Sequence, residues 1–270
     1  MIKTLIFAHR GANREAAENT RSAFDRALQY PIDGIETDVQ LSRDEVAVLW
    51  HDRFLGKVGL PFRHIDDFDH ARLQTMNFAA HFSARSEPEG IMSLKEFLYA
   101  YRTRCRLLLE IKNRDWEQVP RQEMKVRQTL ELVGPVHDGS ILVSSFNLPS
   151  LVYAHQYSPE MPLVYNLEKD QTLADARSIL SVQTFLYGVC LPVKLLDQAM
   201  VKLLRDNGKL IAVYTCNSDT EINKALDLLD QCPSEYAILA AYNPIFELYR
   251  NGVIGAPNEA DLIELLKRSL

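Results

Sequence analysis

Short β-rich apolar runs alternate with stretches of helical spacing along nearly the whole of this chain, and that rhythm leaves few folds open. The runs fall at residues 4–9, 34–39, 106–112, 140–145, 162–167, 187–191, 209–215 and 236–241. Between them stand helix boundary signals. Ser93-x-x-Glu96 and Ser218-x-x-Glu221 are capping boxes, and Asn207-Gly208 closes a helix expected to start near Leu195. Eight βα units in 270 residues predict one closed (β/α)8 TIM barrel filling residues 1–270. A doubly wound sheet is disfavoured, because no G-x-G-x-x-G turn follows the first run.

One stretch interrupts the rhythm. Residues 53–90 carry Gly56, Gly59, Pro61, Pro88 and Gly90, with the acidic patch Asp66-Asp67-Phe68-Asp69. It follows the second strand, where such barrels accept additions, and reads as a small insertion over the barrel mouth. The acidic patch reads as a helix start favoured by the helix dipole and not as a ligand cluster.

Composition narrows the function. The chain is 47% hydrophobic and 24% charged with a net charge of -6, which offers no general attraction for nucleic acid or an anionic membrane. A bound phosphate would need a local cationic site. The first apolar run, Leu5-Ile6-Phe7-Ala8, is too short for a leader or a membrane span, so a soluble cytoplasmic protein is expected. Cys105, Cys190, Cys216 and Cys232 lack C-x-x-C spacing and read as reduced thiols, not as disulfides or a zinc site. Nothing in the sequence speaks to oligomeric state.

Active sites of these barrels sit at the C-terminal strand ends. The first strand ends in His9-Arg10, the second in Glu36-Thr37-Asp38 and the third in Glu110-Ile111-Lys112. In each triplet the charges stand two residues apart, so both point to one side of the strand. The flanking runs are apolar enough to be covered on both faces, where uncompensated charge is costly. Glu36, Asp38 and Glu110 together offer only oxygen ligands, which suits Mg2+ or Ca2+, with Mn2+ a further choice, and disfavours zinc. Arg10 and Lys112 would neutralise a bound anion, the guanidinium gripping phosphate oxygens in pairs. His51 follows a short run, residues 46–50, that could hairpin back beside the second strand. Two imidazoles beside a metal can divide acid and base duties. Together these residues suggest chemistry at a phosphoryl centre.

The chain resembles the glycerophosphodiester phosphodiesterase family. The match runs through "AHRGA", "ENT", "GIETDV", "HD", "MSLKEFL", "LLLEIK", "VSSFN" and "VYTCN", in order over most of the chain. The resemblance implies a TIM barrel that hydrolyses glycerophosphodiesters to an alcohol and glycerol 3-phosphate with one divalent metal. It assigns acid/base roles to His9 and His51, metal ligation to Glu36, Asp38 and Glu110, and phosphate binding to Arg10 and Lys112. Glu18 and Asn19 are expected to support the start of the first helix. The chain departs from the family at Tyr214, where a tryptophan is usual, at Asp44-Glu45 in place of an acidic residue and glycine, and at Ala241-Tyr242-Asn243-Pro244 near the eighth strand. These changes bear on the alcohol side of the pocket.

The alternatives are a related barrel acting on lysophospholipids (a lysophospholipase D) or on sphingolipids, and a non-catalytic barrel that binds glycerophosphodiesters. A barrel glycosidase fits less well, since paired carboxylates alone would not call for two histidines, Arg10 and Lys112.

Overall fold

The computed structural model describes residues 4–83, 86–115, 117–136, 138–230 and 237–241. His137, Cys232 and Tyr242-Asn243-Pro244 lie outside them. Eight parallel strands form the barrel: β1 Leu5–His9, β2 Gly34–Leu41, β4 Arg106–Ile111, β5 Ile141–Ser145, β6 Leu163–Asn166, β7 Gly188–Pro192, β8 Leu210–Cys216 and β9 Ala237–Ala241. Each pairs with the next around the ring, and β1 pairs with both β9 and β2, so the sheet closes. A ninth strand, β3 Ala47–Leu49, turns back antiparallel along β2. That is the hairpin expected before His51.

Helices α1 Arg21–Ala27, α2 His70–Gln74, α3 Leu94–Tyr101, α4 Val119–Val133, α5 Leu148–Tyr157, α6 Leu173–Val182, α7 Gln198–Asp206 and α8 Asp219–Asp230 stand outside the strands. Both expected capping boxes form: the Ser93 and Ser218 hydroxyls accept from the amides of Glu96 and Glu221, whose carboxylates accept in return. The helix expected near Leu195 starts later. Residues Val193–Leu195 make a separate 3-10 turn, and Asp197 caps α7 by accepting from the Met200 amide.

Apolar faces of strands and helices meet in one large core that includes Ile35, Val39, Leu107, Val143, Leu163 and Ile211. Inside the barrel the floor is apolar, with Phe7, Leu108, Leu142, Val164 and Leu210. Two residues further along the same strands stand His9, Glu110, Ser144 and Asn166. Alternation therefore puts polar side chains directly above a dry floor.

The insertion has a small core of its own, in which Leu55, Ile65, Leu73 and Phe78 pack with Val48, Trp50 and Ile91. The acidic patch divides between two short elements: Asp66 and Asp67 lie in a 3-10 turn, and Asp69 precedes α2 and pairs with Arg43.

Candidate active site

Parallel neighbours in register layer the site. His9 lies beside Glu36 across β1 and β2, and Asp38 beside Glu110 across β2 and β4. Glu36 and Asp38, two residues apart, face the same way about 6.6 Å apart along the strand. At the end of β1 the backbone enters left-handed conformations, φ 58° at Arg10 and 78° at Gly11. A Cβ on Gly11 would lie 2.6 Å from the Ala23 carbonyl carbon, so only glycine lets α1 come this close. The turn throws the Arg10 side chain back over the mouth, while its amide donates to the Glu36 carboxylate at 3.1 Å.

The structure brings all seven expected residues together. His9, Arg10, Glu36, His51, Glu110 and Lys112 line one cavity of about 880 Å³, and Asp38, fully buried, lies behind Arg10. Arg10 Nε is 3.1 Å from Asp38 Oδ2; Lys112 Nζ is 2.6 Å from Glu110 Oε1 and 3.6 Å from Asp38 Oδ1. His9 Nε2 lies 3.8 Å from Glu36 Oε2.

Burial, then the neighbouring Arg10 cation, pushes the His9 pKa well below its ordinary value, which keeps the ring neutral. Burial, then crowding by Asp38 and Glu110, pushes Glu36 well up. For Asp38 burial acts upward too, but Arg10 and Lys112 outweigh it and hold the carboxyl well below the usual range. Burial would lower Lys112, yet Glu110 and Asp38 raise it.

These carboxylates fit a hard divalent ion. Oxygens of Glu36, Asp38 and Glu110 lie within 4.8 Å of one another. Asp38 Oδ1 is buried without a hydrogen-bond partner, an acceptor that a cation would satisfy.

His51 reaches the cavity from the end of the β2–β3 hairpin. Its Nδ1 lies 2.8 Å from Asp52 Oδ1. Burial alone would raise Asp52, but hydrogen bonds from His51 and Lys57 hold it at about 2. An ionised carboxylate can only accept, so Nδ1 carries the hydrogen and Nε2 is left to take or give a proton.

Several partners go beyond the sequence reading, which expected Glu18 and Asn19 only to support the start of the first helix. Asn19 donates to Asp38 at 3.0 Å and accepts from Thr37 at 2.7 Å, while Thr20, the last residue of "ENT", caps α1. Glu18 pairs with Arg10 and with Lys57. Ser144 and Asn166 line the cavity above the apolar floor, and the inward alternation of their strands was the signal that could have found them. Lys57 carries no motif signal at all. Tyr214 also lines the cavity, its hydroxyl donating to the Leu167 carbonyl at 2.6 Å and its ring edge-on to Phe146 at 5.8 Å. His64, His70, His81 and His155 stand away from the cavity lining.

A family model described as the glycerophosphoryl diester phosphodiesterase family matches residues 9–232. A glycerophosphodiester phosphodiesterase of Bacillus subtilis is 27% identical over 239 residues, covering 83% of this chain and 80% of that protein. One from Bacillus altitudinis is 29% identical over 227 residues, covering 83% and 91%. Among solved structures, an Oleispira antarctica phosphodiesterase in complex with the product sn-glycerol-3-phosphate superposes with a TM-score of 0.77 at 23% identity, covering 92% of this chain and 96% of that one. A glycerophosphodiester phosphodiesterase from Agrobacterium tumefaciens gives 0.71 at 24% identity, with 90% and 97% covered.

Proposed function

The chain belongs to the glycerophosphoryl diester phosphodiesterase family, and on that premise we propose that it hydrolyses glycerophosphodiesters to an alcohol and glycerol 3-phosphate. One observation carries the reading: two histidines, two cations and two carboxylates line a single cavity at the strand ends, and a third carboxylate, Asp38, lies within 4.8 Å of the other two. Residues 1–270 act as one catalytic barrel, with residues 53–90 as its insertion at the mouth.

Glu36, Asp38 and Glu110 would hold one Mg2+ or Ca2+ ion, with Mn2+ a further choice, which when bound polarises the phosphoryl oxygens as a Lewis acid. Arg10 grips the phosphodiester oxygens, and Lys112 offsets charge as the pentacoordinate transition state builds. One of His9 and His51 removes the proton of the nucleophile, either water or the glycerol 2-hydroxyl; in the second case the product is a cyclic phosphate, which water then opens at its P–O2 bond to give glycerol 3-phosphate. As the new P–O bond forms, the bond to the alcohol breaks, and the other imidazole gives that alkoxide its proton. The hydrogen that Nδ1 of His51 donates to Asp52 leaves Nε2 as the reacting nitrogen. The small-molecule substrate requires no membrane insertion, and among the described residues no helix is long and apolar enough to cross a membrane. We place the activity in the cytoplasm, where the free thiols Cys105, Cys190 and Cys216 would stay reduced.

The test is release of glycerol 3-phosphate from glycerophosphocholine and glycerophosphoethanolamine, with chelator and with each metal restored, beside a lysophospholipid assayed on the same preparation. Metal-dependent release from the water-soluble diesters is expected. Release from the lysophospholipid alone would move the assignment to the long-chain alternative, and binding without release would make the barrel non-catalytic.

A further inference from the structure

Behind His51 lies a second acidic group. One ligand atom each of Glu18, His51 and Asp52 lies within 4.8 Å of the others, a spacing that would suit a cation. The chain supplies one. Lys57 Nζ stands 2.7 Å from Glu18 Oε1 and 3.0 Å from Asp52 Oδ2, and lies 5.9 Å from the centre of the Trp50 ring. It is delivered by a single 3-10 turn of the insertion, Gly56–Val58, which Gly59 closes at φ 82° with its amide donating to the Gly56 carbonyl. The other oxygens of the two acids are already in use: Asp52 Oδ1 takes His51 Nδ1 at 2.8 Å, and Glu18 Oε2 takes Arg10 Nη1 at 3.3 Å.

We propose that Lys57 is a positioning residue for the phosphodiesterase reaction, an internal ammonium that occupies this acidic pocket in place of a metal and fixes Asp52 so that His51 presents Nε2 to the substrate. The role rests on the proposed function of the cavity. Charges alternate without a gap along Asp38, Arg10, Glu18, Lys57 and Asp52, and Asp52 holds the His51 ring at 2.8 Å, so the residue that grips phosphate and the imidazole that moves the proton share one frame. Without the ammonium, Glu18 and Asp52 would face each other as like charges at short range. Asp52 would then swing away from the imidazole, and either ring nitrogen could carry the hydrogen. Through Lys57 the insertion therefore acts on the proton-moving imidazole, although none of the residues lining the cavity belongs to it.

The test pairs kinetics with a readout that needs no turnover. Lys57→Ala should lower kcat roughly 10- to 100-fold with KM within about twofold, since substrate contacts remain. Ethylammonium should restore part of the loss in Lys57→Ala and none in His51→Ala, and Lys57→Arg should keep most of the rate. In 15N spectra of the metal-free protein, His51 should show one tautomer with Nδ1 protonated in the wild type, and a mixture in Lys57→Ala. Thermal melting checks that each variant is folded, and Lys57→Gln replaces Lys57→Ala if that variant unfolds, with the same loss expected. Wild-type kcat in a folded neutral variant, or an unchanged His51 tautomer, would overturn the proposal. If the wild type itself releases no glycerol 3-phosphate, the functional reading fails, and the tautomer measurement still decides whether Lys57 sets the ring.

Discussion

His9 and His51 occupy opposite environments: the first is buried at the strand end beside a guanidinium, the second is held by a carboxylate on a hairpin. If one removes a proton and the other supplies one, the leaving group should tell them apart. Against glycerophosphocholine, His9→Ala and His51→Ala should each lose something like 10²–10⁴-fold in turnover. Against a nitrophenyl diester of glycerol phosphate, whose leaving group needs no protonation, one variant and not both should recover most of its rate. Equal losses of both variants on both substrates, measured by phosphate-ester release, would end the division of labour. The seven residues of the candidate site could be brought together from sequence because each sits in a short motif at or near a strand end, where charge beside an apolar run is informative. Asp52 and Asn19 stood in quoted motifs but their partners were not readable, and Lys57 had no signal at all, since these residues act through other side chains and through contacts between distant parts of the sequence.

At the level of elements, β2 works as a ruler. Its inward positions carry Glu36, Asp38 and then Gln40, whose amide donates to the carbonyls of Trp50 at 2.7 Å and Asp52 at 3.1 Å. One strand face thus spaces the two carboxylates proposed to hold the metal and also anchors the loop that bears His51. Period-two alternation made the first two readable from sequence, but Gln40 is an ordinary strand residue until the hairpin folds over it. Beside this strand, α4 buries Lys125, which donates to Glu117 at 2.7 Å. Burial lowers its pKa to about 8, against 10.5 ordinarily, with Glu117 only partly opposing. Between these values the folded state binds fewer protons than the unfolded one, so stability rises with pH there. The contribution is fully present above 10.5 and is lost as pH falls through about 8. Relative to Lys125→Met, the wild type should gain roughly 3 kcal/mol between pH 7.5 and 10.5, measured by denaturant unfolding at each pH. A flat difference would show that the ammonium is better solvated than its burial implies.

For the whole molecule, closure of the ring matters most, because it brings the ends of β1, β2 and β4 round one mouth. Eight units and their order were readable in the sequence, since each strand had its own apolar run and three of the helices carried a boundary signal. That the insertion builds a separate small core against Trp50 was not, because its apolar residues follow neither strand nor helix period. Closure carries an electrostatic cost, since three carboxylates of β2 and β4 crowd into a space only partly balanced by Arg10 and Lys112. A divalent ion that binds the folded barrel and not the open chain should therefore stabilise it by mass action, about 2.7 kcal/mol at a hundredfold excess over Kd. In a chain of this length that is a rise of roughly 5 °C in melting temperature, read by calorimetry without substrate. Glu110→Gln removes one ligand charge and should leave the protein folded, with a smaller rise or none. A metal-induced rise that survives in Glu110→Gln and is lost in Asp52→Asn would put the ion behind His51 instead, in the pocket that Lys57 fills.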